Sequence, residues 1–436
     1  MKKILLLFTI VSCLSTTTKA QGTPFFNIIE VANIPMPISN NAVAEGYANN
    51  IFYVYSFGGI DSTKIWSGIN KKSFRYNTIS DVWDTIPDLP NINAVIAAGA
   101  SYVDSIIYIM GGYQVLSNGS EISSNIVNRF NPRTNTYLSD GVNIPLAIDD
   151  HVQAVYKDSL IYLITGWSNT GNFPNVQIYD PTNDNWLTGT SVPNNNTYKA
   201  FGASGTIIEN TIYYHGGAST GTNFPGQSTL RIGQINATDP TQITWSVQST
   251  NFVSYRSACS NLNGFPFWFG GSEITYNYNG ISYNGSGGVP LKSQLLGYYL
   301  NNFDSAYYSS SANLPMDLRG IAARFGTYYI AGGMINNQKV SNKTYRIEGL
   351  INSINELNNS SLFQLYPNPT SENINLIFKE KEDRKILIIN VVGKEVFSTE
   401  SDNTNLQLNV SNYPKGIYFV KVKTSKSSKT QKIVIK

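Results

Sequence analysis

The chain has 436 residues, of which 12% are aromatic and only 14% charged, with 35 glycines, 28 tyrosines and a formal net charge of +3. This composition excludes a polyelectrolyte disordered chain and a long coiled coil, and it suits strands joined by many turns. Two cysteines exclude a disulfide-stapled scaffold, and two histidines in all are few for a metal centre, for which no ligand set is expected.

The first element is a targeting segment. Met1-Lys2-Lys3 is a charged start, Ile4 to Leu14 a short apolar stretch, and Thr18-Lys19-Ala20 a small-residue cleavage site before Gln21. Residues 1–20 therefore read as a signal peptide. No later stretch has the ~18 apolar residues of a membrane span, so an exported, soluble protein is expected. A second reading is open, because Ile10-Val11-Ser12-Cys13 resembles a lipoprotein processing box. Loss of the segment takes away Lys2, Lys3, Lys19 and Cys13, leaving a net charge of zero and Cys259 as the sole cysteine. A lone cysteine of this kind is expected to be a small buried residue.

From Phe52 onward one phrase recurs: an aromatic strand ending in small residues. It appears at Phe52–Gly59, Ile107–Gly112, Ile161–Trp167, Ile212–Gly217, Phe267–Gly271 and Tyr328–Gly333. The first glycines, at 58, 111, 166, 216, 270 and 332, stand 50 to 62 residues apart. A period near ~50 residues is the mark of a propeller array. After each of the first three copies an aromatic pair is spaced by seven, Tyr76/Trp83, Phe130/Tyr137 and Tyr179/Trp186, with turn residues between. That spacing predicts a hairpin with one ring on each arm. Before the phrase lies a strand of small residues, such as Val95–Tyr102 or Ala200–Gly205, suited to a crowded axis. Four strands per repeat make one blade. The fourth copy has a longer turn before Trp245, and the fifth carries an insertion from Ile274 to Val289.

The sixth copy is followed by one further strand only, Thr344–Ile347, whereas Phe25 to Pro35 stands unassigned before the first. The economical solution is six blades, the last closed by the N-terminal strand 25–35, which removes an open seam. Over roughly residues 24–349 the pattern resembles the kelch repeat. The fold class expected is all-β: a six-bladed kelch-type propeller followed, after a polar linker at 350–361, by a small immunoglobulin-like sandwich at 362–436.

The tail begins Leu365-Tyr366-Pro367-Asn368-Pro369, carries Gly393 and Gly416 at turn positions before Tyr418, and ends in an alternating strand at Lys436. These motifs resemble the type A C-terminal sorting domain of type IX secretion, found in Bacteroidetes. The resemblance implies the type IX machinery as a partner, passage through the outer membrane, tail cleavage, and release or attachment to a surface glycolipid. Localisation would be secreted or at the outer-membrane surface. Residues 361–436 carry a net +5, so the mildly basic balance belongs to the tail and is no argument for nucleic acid.

Catalytic motifs are scarce. No nucleophile elbow, P-loop or dinucleotide fingerprint appears, and no cofactor is expected. Polar residues near the inner strand starts, Asn93, Asp150, Lys199, Arg256 and Arg319, with Glu45 inside the first strand, are expected to ring one channel mouth. Such a ring suits a polar or anionic ligand. Kelch-type sialic-acid mutarotases are similar in blade number; that likeness would make Glu45 the proton-moving group and Arg256 or Arg319 the holder of a carboxylate. The insertion tyrosines Tyr276, Tyr278 and Tyr283 are candidates for contact with a protein or carbohydrate. A non-catalytic binding or adhesion module is the first reading, and a sugar mutarotase or epimerase the alternative.

Overall fold

The computed structural model of the chain describes residues 25–436, apart from 351–362 and short breaks at 50, 263, 293, 300–301, 308–313, 325, 379–380, 392 and 425–427. The expected signal peptide and nearly all of the expected linker lie outside the described residues. The chain divides into two compact units, one spanning Thr23–Ile351 and one containing the tail from Asn352 to Lys436.

Among the described residues the large unit has six sheets that each contain a four-strand antiparallel run, besides two short two-stranded sheets. The first blade runs Ala42–Ala48, Ile51–Ile60, Ile69–Asn77, Val82–Ile86 from the axis outward. The inner strands that follow are Ile96–Val103, Val152–Tyr156, Phe201–Ile208, Ala258–Leu262 and Ala322–Arg324. In the sixth sheet the outermost strand is Phe25–Val31, paired along its whole length with Thr344–Leu350. Phe26 is fully buried there, edge-on to Phe267 and Phe269 of the fifth blade.

The aromatic pairs spaced by seven are direct cross-strand partners: Tyr76 opposite Trp83, Phe130 opposite Tyr137, Tyr179 opposite Trp186. Their ring centroids lie 5.0–5.4 Å apart. Asn77, Asn131 and Asp180 each accept backbone N–H bonds two residues on, the Asx-turn chemistry that reverses the chain. In the fourth blade the pair is replaced. Gly233 sits opposite Trp245, and a Cβ on Gly233 would strike the indole.

The glycine doublets join neighbouring blades. Gly217 N–H donates to the Ser254 carbonyl at the start of the fifth blade (2.7 Å), and that same oxygen occupies the space a Cβ on Gly216 would need. Gly112 to Ile148, Gly271 to Pro315 and Gly333 to Ile38 repeat the bond. In the third blade the equivalent doublet is Thr165-Gly166, one residue earlier than the glycine spacing indicates. Thr165 takes the left-handed backbone (φ 47°), and its hydroxyl donates to the Phe173 carbonyl (2.9 Å) while accepting from Ala200 N–H of the next blade (3.1 Å). A bond thus replaces the close approach that glycine allows elsewhere.

The inner strands close on one another through a second device. Asn40, Ala97, Asp150, Gly202, Arg256 and Asp317, one per blade, all have φ between 49° and 66°. Their backbones form a head-to-tail ring. Ala97 N–H donates to Asn40, Asp150 to Ala97, Gly202 to Asp150, Arg256 to Gly202, Leu318 to Arg256, and Asn40 to Asp317, over 2.8–3.3 Å. Six bonds close the circle at one end of the axis.

The tail unit is a two-sheet sandwich. One sheet orders Gln364–Tyr366, Asn373–Ile377 and Asn405–Asn409; the other orders Glu395–Ser401, Arg384–Asn390, Gly416–Lys423 and Ser428–Ile435. Ile374, Leu376, Ile386, Val420, Val422 and Ile433 are among its fully buried side chains. Asn368 clamps the last strand, its Nδ2 donating to the Lys432 carbonyl and its Oδ1 accepting from Val434 N–H. Lys436 N–H donates to Thr370. Pro367 and Pro369 flank the clamp, Gly393 and Gly416 both have positive φ, and Tyr418 is buried with its hydroxyl on Pro414.

Candidate functional site

The backbone ring sets the polar groups of the mouth. At three of its six positions the side chain is a buried charge: Asp150, Arg256 and Asp317. Arg256 donates through Nη1 to Asp317 (3.0 Å) and through Nη2 to Asp150 (2.8 Å). Arg319 pairs with the other Asp150 oxygen and donates from Nε to Asn40. Ser39 donates to Asp317 (2.6 Å). The network holds two guanidiniums and two carboxylates, so its charge balances, as buried ions require.

The residues expected at this mouth are therefore only partly together. Asp150, Arg256 and Arg319 meet. Lys199 stands three residues before the ring position of its blade, which Gly202 occupies, and Asn93 is exposed four residues before Ala97. In those two blades the position demands backbone freedom or a small side chain near the axis, and the polar residues fall in the approach loop. Glu45 is three residues along the first inner strand, about 10 Å from its start at ~3.3 Å per residue. It shares a face with Val43 and Tyr47, toward the last blade. Burial pushes its carboxyl up to about 7, opposed by its own amide and that of Ala323. Among the described residues no ion pair joins Glu45 to either arginine.

The insertion of the fifth blade folds across this end of the axis. Thr275 donates to the Phe224 carbonyl of the fourth blade, and Gln338 of the sixth donates to Val289. Tyr278 packs on Ile60, Ile96 and Tyr113 of the first two blades. Tyr276, fully buried, lies over the Arg256 guanidinium at 5.4 Å, and Tyr255 lies against the same guanidinium at 5.2 Å. Two of the three insertion tyrosines thus cover the mouth.

The third, Tyr283, walls a cavity of about 200 Å³ left between the insertion and blades two to four. One side is aromatic. Trp167, Phe201 and Phe224 pack edge to face at 5.4–5.7 Å, and Tyr283 meets Phe224 at 4.8 Å. The other side carries Glu121, Asp149 and Tyr113, with Asp150 and Arg256 of the ring also lining the space. Ser123 donates to Asp149 (2.5 Å) and is itself held by Asn169 N–H. Burial pushes the Asp149 carboxyl up to about 7 despite that bond. Trp167, on the short strand Trp167–Ser168, and Phe224, in the turn after the fourth doublet, enter the pocket from segments where the repeat imposes no residue type. In the sequence Trp167 stands out only as the end of the third strand phrase, and nothing marks Phe224 or Asp149 as site residues.

A gap of about 70 Å³ remains in the axis beyond the ring, lined by His151, Gln153, Ser204, Ser257 and Cys259 among others. Gln153 donates to Ser101 and Ser204 bonds Ser257 (both 3.0 Å). Cys259, half-buried, lines this gap. His215 is buried away from it, bonded to Ser254 and Thr250. Among the described residues no group of three or more His, Cys, Asp or Glu side chains is placed to hold a metal ion.

Comparison with known proteins bears on both units. Residues 364–436 match the secretion system C-terminal sorting domain. The kelch-like protein terF of Aspergillus terreus is 27% identical over 148 residues, 31% of this chain and 30% of that protein. Kelch-like protein 15 of Homo sapiens is 26% identical over 187 residues, 42% of this chain and 27% of that protein. The chain thus spans less than a third of the length of these relatives. The solved structure of YjhT superposes with a TM-score of 0.58 at 15% identity, covering 74% of this chain and 98% of its own. The large unit is a kelch-type propeller. The tail is a type IX sorting domain, which implies an interaction with that secretion system and a secreted or cell-surface location.

Proposed function

We propose that this chain, exported through its sorting tail, is a non-catalytic binding module whose ligand group sits in the mouth cavity of the propeller. The observation that carries this reading is a concave site that joins an aromatic wall to the buried Asp149 carboxyl and the exposed Glu121 carboxylate, on a face closed by a dedicated insertion. Mixed walls of this kind orient a small polar group while excluding water. The ring arginines are spent on Asp150 and Asp317, which counts against a site that holds a ligand carboxylate through them. The ligand would be carried by a glycan or a protein met outside the cell, with retention on surface glycolipid after tail cleavage as one fate of the propeller.

A sugar mutarotase is the second reading. It keeps support from Asp149 and Glu45, whose carboxyls stand near 7, a value suited to moving protons at neutral pH. Binding to arrayed glycans and surface proteins, measured for the full chain and for Trp167→Ala, tests the first reading; ligands retained equally by both proteins refute it. An anomer-exchange assay tests the second: a fresh sugar anomer relaxing at its spontaneous rate in the presence of the protein removes it.

A further inference from the structure

We infer that the group received by the mouth cavity is a protonated amine, its ammonium on the Glu121–Asp149 side and its carbon frame against Trp167, Phe224 and Tyr283. The inference rests on the cavity being the ligand site, as proposed above.

Charge balance carries the argument. Arg256 and Arg319 are matched by Asp150 and Asp317 within the ring. Among the described residues, no salt bridge supplies a cation to Glu121 or to Asp149. The cavity is therefore left with two carboxyl groups beyond the neutral ring. A neutral ligand would leave the buried Asp149 to be neutralised by a proton and would cover the exposed Glu121 without giving it a partner, which is costly. A ligand carboxylate would add a third negative group. An ammonium answers both, and the aromatic wall opposite favours a cation with an apolar stem.

The surroundings of Asp149 agree. Glu121 raises its pKa, Ser123 and the ring guanidiniums of Arg319 and Arg256 lower it, and the Tyr113 and Tyr283 hydroxyls complete its titratable neighbours. Burial is the largest influence and leaves the carboxyl titrating near neutrality. An ammonium beside it would pull its pKa down, so amine binding near pH 6 should release a proton.

The test is calorimetric titration of the full chain with Nα-acetyl-lysine methylamide and D-glucosamine, each beside its N-acetylated, uncharged counterpart. The expected result is at least tenfold tighter binding of the amines, with proton release seen as a heat that varies with buffer ionisation enthalpy. Asp149→Asn should abolish the release and weaken amine binding at least tenfold; Phe224→Leu, a milder change, should weaken it severalfold if Asp149→Asn fails to fold. The better of the two amines identifies the carrier as protein or amino sugar. Acetylated probes binding as well as the amines, still lost in Trp167→Ala, would overturn the inference and leave the cavity as the site. Amine binding insensitive to Trp167→Ala and to Asp149→Asn would overturn both.

Discussion

Removing the side chain of Phe26 tests whether the N-terminal strand closes the propeller. Phe26 is fully buried and packs edge-on to Phe267 (5.5 Å) and Phe269 (5.7 Å) across the junction of the last two blades. A buried Phe→Ala change costs about 3–5 kcal/mol, from lost transfer and the cavity left behind. The propeller spans Thr23–Ile351. At roughly 2.1 cal/mol/K per residue its unfolding entropy is about 0.7 kcal/mol/K, so each kcal/mol moves the midpoint by about 1.4 °C. Phe26→Ala should therefore lower the midpoint by about 4–7 °C. All six tryptophans, at 66, 83, 167, 186, 245 and 268, lie in this unit, so tryptophan fluorescence follows its unfolding without interference from the tail. Glu30→Ala is the control. Glu30 is exposed and its side chain pairs with the half-exposed Lys343, an ion pair worth about 0–1 kcal/mol, hence no more than about 1.5 °C. A Phe26→Ala shift as small as that of Glu30→Ala would mean that the strand does not seal the last blade.

Other outcomes follow from the ring and the tail. Gly202→Ala should lower the fluorescence midpoint by about 3–6 °C, because φ is 66° and the new methyl would meet the Tyr255 ring at 2.5 Å, together costing about 2–4 kcal/mol. Arg256→Met leaves Asp317 and half of Asp150 without their cation and should cost about 3–5 kcal/mol, against less than ~1 for Lys72→Met at the surface; equal effects would contradict a buried network. Asp149 has a folded pKa of about 7, above its unfolded value, so the folded state binds its proton more tightly. Its contribution is fully present below pH ~4 and is lost as pH rises to ~7, at up to about 1.4 kcal/mol per unit. Asp149→Asn should remove that slope from denaturant titrations across pH 4–7, and an unchanged slope would refute the burial of its carboxyl. A chain cut after residue 350 should stay inside a type IX-competent host; its appearance in the medium at the full-length level would show that the tail is dispensable.

The architecture was legible because its physics repeats. The strand phrase, the paired rings and the Asx turns recur with every blade, and periodicity exposes what recurs. Where one interaction substitutes for another, the spacing misleads by a residue. Thr165 does with a hydroxyl what Gly216 does by having no side chain, so the third doublet shifts by one. The ring itself was hidden for a related reason. Its six residues share a backbone conformation and a hydrogen bond, not a residue type, and Asn, Ala, Asp, Gly, Arg and Asp have no common chemistry in one dimension.

The same reasoning explains why the candidate site was only half visible. Reading Arg256 and Arg319 as ligand-binding groups treats charge near an axis as available. At a ring closed by backbone bonds, a long charged side chain has nowhere to reach water, and the insertion lays Tyr276 over it. It must then be neutralised by the protein, and Asp150 and Asp317 stand at equivalent ring positions two blades back and one blade on. Once those four groups cancel, the charge that matters to a ligand is what is left over. That remainder is Asp149, one residue outside the ring, and Glu121, on the short strand Glu121–Ser123 of the second blade. The side chains that give this propeller a specific mouth are thus the ones its closure does not use.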